Sequence, residues 1–215
     1  MKKRKSMRKC IIMTIVLLSF QGMGYAQKPL VNDQWQRRTE ELASCLKKEW
    51  VEGWNNMNQS VTRSSIESSR IDLLNAEYIP MTIFVLDYAS FQGLTSESNL
   101  EFLVKLDTTR IDYVVLNKKE NEVVMQTGGI FMNGRWRDKG FGIYGPTDIA
   151  FLSQSFARGI SLYKLRVYAS PDWAREYLFF IENGQLMAWR PELHTPQPLI
   201  ETLLKYKEKQ KSGLE

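Results

Sequence analysis

Histidine is the side chain most often used in acid-base catalysis and zinc binding, and this chain contains only one, His194. Catalytic zinc sites usually require two or three imidazoles, so no metal is expected. A Ser-His or Cys-His pair would have to use His194, yet no serine or cysteine lies in a Gly-x-Ser-x-Gly elbow or a cysteine-protease signature. The prolines Pro191 and Pro196 on either side of His194 predict a loop that leads into the last helix.

Paired carboxylates are the other route to hydrolysis, because a glycosidase needs two carboxyl groups roughly 5 to 10 Å apart. Five acidic residues lie in or next to predicted strands: Asp87, Asp112, Asp172, Glu176 and Glu182. Asp87 follows a very apolar segment, where an acid needs a cationic partner or a strand end that faces water. A small secreted hydrolase that uses carboxylates with His194 is therefore the alternative function.

A glycine string, Gly140-Phe-Gly-Ile-Tyr-Gly145, matches the Gly-x-Gly-x-x-Gly pattern of dinucleotide-binding proteins. That fingerprint works when a buried parallel strand leads directly into the glycines and the following helix. Residues 135–139, which precede the string, are polar. The sequence therefore does not support a bound dinucleotide, and no cofactor is expected.

The segment from Phe131 to Tyr144 interleaves aromatic and basic side chains on a glycine-rich backbone. Its candidate binding residues are Arg135, Trp136, Arg137, Phe141 and Tyr144. Aromatic faces next to guanidinium groups are typical of surfaces that recognise sugars, peptides or other proteins. A hairpin whose rings merely cover the edge of a sheet would have the same composition. The first hypothesis is a binding module, accessory or inhibitor-like, that performs no chemistry of its own and contacts its partner through this segment.

The first 26 residues have the three parts of a secretory signal peptide. Six basic residues and no acid precede an apolar run from Ile11 to Phe20, and Gly24-Tyr25-Ala26 provides small residues at the exit. The sequence therefore predicts cleavage after Ala26 and export to the periplasm or to the outside of the cell. A retained membrane anchor is the alternative, but a span needs about 20 apolar residues and this run ends at Gln21.

Removal of this leader changes the charge of the chain. The whole sequence has 29 Lys and Arg against 24 Asp and Glu, which gives a pI near 9.1. Without the six basic residues of the leader, 23 basic groups face 24 acidic ones, a formal charge of −1. Nucleic-acid binding needs a concentrated cationic surface, so nucleic acid is excluded as a partner. The expected partner is another envelope or extracellular protein, a peptide or a glycan, and no stable membrane span is expected after cleavage.

A first helix is predicted for residues 34–57, with Asp33 as its N-cap. Its apolar residues recur every four positions: Leu42, Leu46, Trp50 and Trp54. Cys45 is the only cysteine after the leader and cannot form an intrachain disulfide. Because Cys45 lies three residues from Leu42, we expect it to be buried with this stripe as a small hydrophobic residue.

The remaining elements follow from periodicity and turn residues. Strands are predicted for 81–88, 100–106, 111–116, 122–126, 161–168, 176–181 and 185–189, and helices for 146–158 and from Pro196 or Pro198 onward. Asn133-Gly134 and Asn183-Gly184 predict tight turns. Ser98 and Glu101 could instead start a short helix within 100–106.

Strands and helices that do not alternate strictly predict an α+β fold. We expect a single domain over residues 27–215, built on a mainly antiparallel sheet. An N-terminal, a middle and a C-terminal helix should pack on one face of that sheet. A serine-rich connection is predicted near 58–70, as a loop or as the start of a second helix that ends near Asn75, and the lysine-rich C-terminus is expected to fray.

Overall fold

The computed structural model of the protein describes residues 31–60 and 73–213. Within these ranges the helices are α1 (Asp33–Ser60), α2 (Tyr88–Gln92), α3 (Leu100–Leu103), α4 (Pro146–Ala157) and α5 (Leu199–Ser212). The strands are β1 (Glu77–Leu86), β2 (Lys105–Asn117), β3 (Glu122–Met132), β4 (Arg135–Gly142), β5 (Tyr163–Tyr168), β6 (Ala174–Glu182), β7 (Gln185–Trp189) and β8 (Gln197–Pro198). The predicted leader with its cleavage point and residues 61–70 of the serine-rich connection lie outside the described residues.

The eight described strands form one sheet in the order β4-β3-β2-β1-β5-β6-β7-β8. Strands β1 to β4 are neighbours in sequence and in space, and so are β5 to β8, so each half is an antiparallel meander. The two meanders meet where β1 pairs with β5 in parallel, which we call the seam. Helix α4 lies in the connection between the halves, as a parallel crossover requires. The predicted α+β class with a mainly antiparallel sheet is confirmed.

Helices pack on both faces of the sheet, so the expectation of a single helical face is wrong. Successive side chains of a strand point to opposite faces. In β2, Ile111 and Tyr113 pack in one cluster with Trp50 of α1, whereas Val114 packs in another with Leu152 of α4. We call these the α1 face and the α4 face. Both sides of the sheet are therefore covered over part of their area.

Helix α1 buries its predicted stripe but begins and extends differently from the prediction. Its cap is Asn32, whose Oδ1 accepts a hydrogen bond from the Trp35 amide at 2.8 Å, and not Asp33. The predicted burial of Cys45 is also wrong, because Cys45 is exposed to solvent. The centre of the buried stripe is near Leu46. Successive residues of a helix are about 100° apart, so Cys45 lies about 100° around the helix from Leu46 and outside the stripe.

The prediction for residues 100–106 is wrong in its first half. These residues begin with the short helix α3, and Asn99 Oδ1 caps it by accepting from the Glu101 amide at 3.0 Å. The short-helix alternative was therefore the better one, although the cap is Asn99 and not Ser98. Strand β2 starts only at Lys105.

Both predicted tight turns are confirmed. Asn133 and Gly134 have φ values of 52° and 77°, and Asn183 and Gly184 have 50° and 80°. Positive φ at both central residues suits the right-handed twist of a hairpin, and asparagine and glycine adopt it most easily. These turns fix the β3–β4 and β6–β7 hairpins. The lysine-rich C-terminal segment is helical through Ser212, with Gly213 left-handed at φ 68°.

Candidate functional site

Strand β4, which the sequence did not predict, is one of the two edge strands of the described sheet and pairs only with β3 there. Arg137 lies opposite Ile130 of β3, which in turn lies opposite Arg110 of β2. Paired residues share a face, so these side chains lie on the α4 face, as does Arg135 two residues away. Helix α4 packs over apolar side chains of that face, such as Val114 and Val123. The exposed basic groups lie at the edge of the same face, on β4.

The five candidate binding residues divide between the two faces. Arg135 and Arg137 are exposed, while the three aromatic residues are half-buried. The rings of Trp136 and Phe141 pack against the α1 cluster, and Tyr144 packs against the α4 cluster. The arginines, and not these rings, are therefore the solvent-facing groups. An exposed ring lies on the other face of the same hairpin, since Phe131 pairs with Trp136, is 40% exposed and contacts the Trp136 ring with centroids 5.6 Å apart.

A chain of ion pairs crosses the same α4 face, from β4 to β6. Asp112 of β2 is buried and accepts hydrogen bonds from Lys139 Nζ at 2.8 Å and from Lys164 Nζ. The Lys164 ammonium also lies 3.3 Å from Glu176 Oε2. Arg166 Nε lies 3.2 Å from Glu176 Oε1, although its N–H is not aligned for a hydrogen bond. We call these five residues the ionic cluster.

The ion pairs of the ionic cluster favour the ionised forms of Asp112 and Lys164. Burial of Asp112 by itself would raise its pKa, but the ammonium groups of Lys164 and Lys139 outweigh this and hold the pKa below its ordinary value. Burial of Lys164 would lower its pKa, but Asp112 and Glu176 outweigh it and raise the pKa. A carboxylate and an ammonium that are both buried need each other, because either charge alone is costly to desolvate.

Gly128 makes room for the ionic cluster. It lies on β3 opposite Asp112, between the strands that carry Asp112 and Lys139. A Cβ atom at this position would lie 2.9 Å from Asp112 Oδ1, 3.2 Å from Lys139 Cδ and 2.7 Å from the backbone oxygen of Ile111. The absence of a side chain therefore lets Lys139 reach across β3 to the buried carboxylate.

The ionic cluster borders a small polar cavity at the β4 edge. Its volume is about 90 Å³, and its lining includes Asp112, Thr127 and Lys139.

The Tyr144 hydroxyl is buried and has no hydrogen-bond partner among the described residues. Burial, with smaller contributions from Asp112 and other nearby carboxylates, raises the pKa of Tyr144. The hydroxyl is therefore neutral and can only donate or accept hydrogen bonds here.

The structure brings two of the five candidate acids together. Asp112 and Glu176 share the Lys164 ammonium, which lies between their carboxylates. A general acid needs a raised pKa, and the pKa of Asp112 is lowered. Asp112 is therefore ionised at neutral pH and has no proton to donate, and the Lys164 ammonium is paired with both Asp112 and Glu176.

The other candidate catalytic residues lie apart from this pair. Asp87 caps α2 through the Ser90 amide at 2.8 Å and pairs with Lys105 at 2.7 Å, and the Lys105 contact lowers its pKa to about 2. Glu182 lies 3.6 Å from Arg158. Asp172 and His194 are exposed.

The glycine string does not have the geometry of a dinucleotide site. Gly140 and Gly142 belong to the antiparallel edge strand β4, and Gly145 is the N-cap of α4. The buried parallel strand that should lead into the glycines is not there within the described sheet.

Sequence reasoning did not identify the basic members of the ionic cluster, Lys139, Lys164 and Arg166. The detectable signal was in β5, where Lys164 and Arg166 alternate with the apolar residues Leu165 and Val167. A buried lysine requires a carboxylate partner, but the sequence does not say which one.

Comparison with known proteins gives no relative: no family model, curated protein or solved structure matches the chain. Over the described ranges, no helix is both long and apolar enough to cross a membrane. The fold and the sites described above are therefore the basis for any functional assignment.

Proposed function

We propose that the protein is an exported binding protein without chemistry of its own, and that the edge of β4 contacts its partner. The observation that carries the proposal is that β4 is an open edge of eight residues, whereas the opposite edge strand of the described sheet, β8, has two. An open edge presents backbone N–H and C=O groups that can pair with an added strand. Export rests on the leader-like composition of residues 1–26.

The charges on β4 favour an acidic partner. Arg135, Arg137 and Lys139 alternate along the strand, which is the spacing of side chains on one face. Lys139 is paired with Asp112, but the exposed Arg135 and Arg137 oppose pairing with a second copy of the same edge, because like charges would meet. They favour an extended segment that carries acidic residues, since opposite charges across an interface steer association and set its specificity.

An acidic extended segment of an envelope or extracellular protein is therefore the proposed partner. The exposed Phe131, beside the half-buried Trp136, adds an apolar contact at the tip of the β3–β4 hairpin. Aromatic and arginine side chains are the residues most often found at the energetic centre of protein interfaces. A hydrolase is less well supported, because the two candidate acids that meet, Asp112 and Glu176, are both paired with Lys164.

The test uses two fluorescein-labelled peptides, one alternating Glu with Val and the other alternating Lys with Val. Fluorescence anisotropy should show binding of the Glu-Val peptide only. The double variant Arg135→Glu/Arg137→Glu should weaken its Kd by at least about tenfold, because attraction at two exposed positions becomes repulsion. Amide hydrogen exchange should slow in β4 when the peptide is bound, which distinguishes strand pairing from loose charge attraction.

The matched control is Lys118→Glu/Lys119→Glu, which makes the same charge change at two exposed lysines in the β2–β3 turn. This variant should bind the Glu-Val peptide as the wild type does. Equal affinity of the wild type and the Arg135→Glu/Arg137→Glu variant, or equal binding of the two peptides, would refute the proposed contact.

A further inference from the structure

A second basic site lies at the other end of the sheet, beneath α5. A cavity of about 170 Å³ is lined by Arg175 and Tyr177 of β6, Arg190 after β7, Glu192, and Lys205 and Lys209 of α5, among others. We call it the α5 pocket. Four of these six side chains are cationic and one is acidic. Since the chain without its leader has a formal charge of −1, this excess of positive charge is a local feature.

The two arginines are held in place by aromatic rings. The Arg175 guanidinium lies 4.7 Å from the centroid of the Tyr206 ring, and the Arg190 guanidinium lies 5.2 Å from that of Tyr177. Their side chains are 21% and 22% exposed. A guanidinium stacked on a ring loses little further freedom when it binds an anion, so the arginines are prepared for a ligand.

A carboxylate of the protein itself already lies between the arginines. Glu192 Oε1 is 2.9 Å from Arg190 Nη2 and 3.9 Å from Arg175 Nη2. The Glu192 side chain is nevertheless 58% exposed, and it is carried on the single 3-10 turn Pro191–Leu193. The next residue, His194, has φ 57° and ψ −34°, a backbone conformation that is strained for a residue other than glycine.

Glu192 does not use all the donor groups of Arg190. The Arg190 Nη1 atom is buried and has no hydrogen-bond partner among the described residues. A buried N–H of a guanidinium without an acceptor is costly, and a carboxylate or phosphate group with two oxygens could satisfy both nitrogens of the Arg190 fork.

We infer that the α5 pocket binds a small organic anion through its carboxylate or phosphate group, and that Glu192 occupies the same position when no ligand is bound. The ligand's anionic group lies between Arg175 and Arg190, and Lys205 and Lys209 provide further positive charge. The volume limits the ligand to a small molecule, since pockets for drug-sized ligands have roughly 300 to 1,000 Å³. Binding displaces the Glu192 carboxylate into solvent.

The probes are inorganic phosphate and succinate, measured by isothermal titration calorimetry at low ionic strength with the protein purified in a buffer without either anion. Their relative affinities distinguish a phosphate site from a carboxylate site. Glu192→Gln should bind the preferred anion at least about tenfold more tightly than the wild type, because the internal competitor has lost its charge. Arg190→Gln should lose binding.

The variants provide their own controls. A gain of affinity in Glu192→Gln has no explanation in misfolding, so the inference stays testable even if Arg190→Gln is unstable. Lys211→Gln, which removes a lysine of α5 outside the pocket lining, should bind as the wild type does. Absence of binding in both the wild type and Glu192→Gln, or unchanged affinity in either pocket variant, would overturn the inference. The β4 variant Arg135→Glu/Arg137→Glu should retain anion binding, so the two sites fail or succeed independently.

Discussion

Asp112 is the residue on which the ionic cluster depends. Its side chain is 3% exposed and accepts hydrogen bonds from two ammonium groups, one of them on a lysine that is itself 7% exposed. Removing one member of a buried pair leaves the other charge desolvated without compensation. The stability of the sheet is therefore coupled to the ionisation of a single carboxyl group.

We expect Asp112→Asn to lower the free energy of unfolding by about 3–5 kcal/mol at pH 7, the usual cost of breaking a buried ion pair, because the buried Lys164 then keeps only its contact with the half-exposed Glu176. Since folding lowers the pKa of Asp112, its contribution is present above the unfolded value of about 3.9 and is lost as pH falls through the folded value. The difference between variant and wild type should therefore shrink below about pH 4. Urea denaturation from pH 3 to 7 measures it.

The matched control is Asp172→Asn, the same change at an exposed position, which should stay within about 0.5 kcal/mol of the wild type. A constant destabilisation by Asp112→Asn at all pH values would contradict the charge argument. It would point to shape or hydrogen bonding as the cause.

Cys45 shows that a stripe of apolar residues predicts the buried side of a helix but does not by itself predict the burial of each neighbouring residue. The spacing of Leu42, Leu46 and Trp50 correctly defines the buried side of α1. A residue three positions after Leu42 lies on the buried side only if the stripe extends around the helix from Leu42 in the direction away from Leu46. The stripe instead extends from Leu42 towards Leu46 and Trp50, so Cys45 lies outside it. The exposed thiol follows from the helix geometry once the full stripe is known.

At the scale of elements, the strands that were predicted are those whose pattern is local. The β6–β7 hairpin has alternating residues and an Asn-Gly turn, and the predicted strand 185–189 has the bounds of β7. Strand β4 was missed because residues 135–139 are polar. An edge strand with exposed charges is held by pairing with its neighbour and leaves a weak hydrophobic pattern.

The ionic cluster could not be predicted for a different reason. Asp112 and Lys164 are 52 positions apart and meet across β1, so their contact depends on the order of strands. Neither spacing nor composition encodes that order. Sequence reasoning could state only that an acid in a strand needs a partner.

Gly128 of β3 lies so close to Ile111 and Asp112 of β2 that a side chain at this position should destabilise the sheet. Gly128→Ala should lower the free energy of unfolding by about 1–3 kcal/mol, because the new methyl group would collide with the Ile111 carbonyl and push Lys139 from Asp112. Gly93→Ala, at the end of α2, is the control: φ is −77° and the nearest atom would be 3.4 Å away. Thermal unfolding of both variants makes the comparison. Equal unfolding midpoints for the two variants would refute the role of Gly128.

At the scale of the whole molecule, the two proposed sites lie at opposite ends of one sheet. The β4 edge is the first strand in the order, and the α5 pocket uses β6 and the segment that follows β7. Both are basic, although residues 27–215 are together nearly neutral. Each end of the sheet therefore carries a group of basic side chains that the overall composition does not reveal.

The seam between β1 and β5 has a kinetic consequence. Every other strand pair joins neighbours in the chain, but Ile83 pairs with Lys164, about 80 positions away. The strand pairs within each meander form by closing short loops. The seam requires closure of a loop of about 80 residues, which costs more conformational entropy. We expect the two meanders to form early in folding and the seam to form after the rate-limiting barrier.

Two conservative truncations of buried valines separate these steps. Val115→Ala, inside the first meander, should mainly slow folding, and Val167→Ala, opposite Leu86 at the seam, should mainly accelerate unfolding. Stopped-flow measurements over a range of urea concentrations provide both rates, and equal slowing of folding by the two variants would refute this order of events. If the order holds, the parallel pair at the centre of the sheet determines how long the native state persists, while the hairpins on either side determine how fast it is reached.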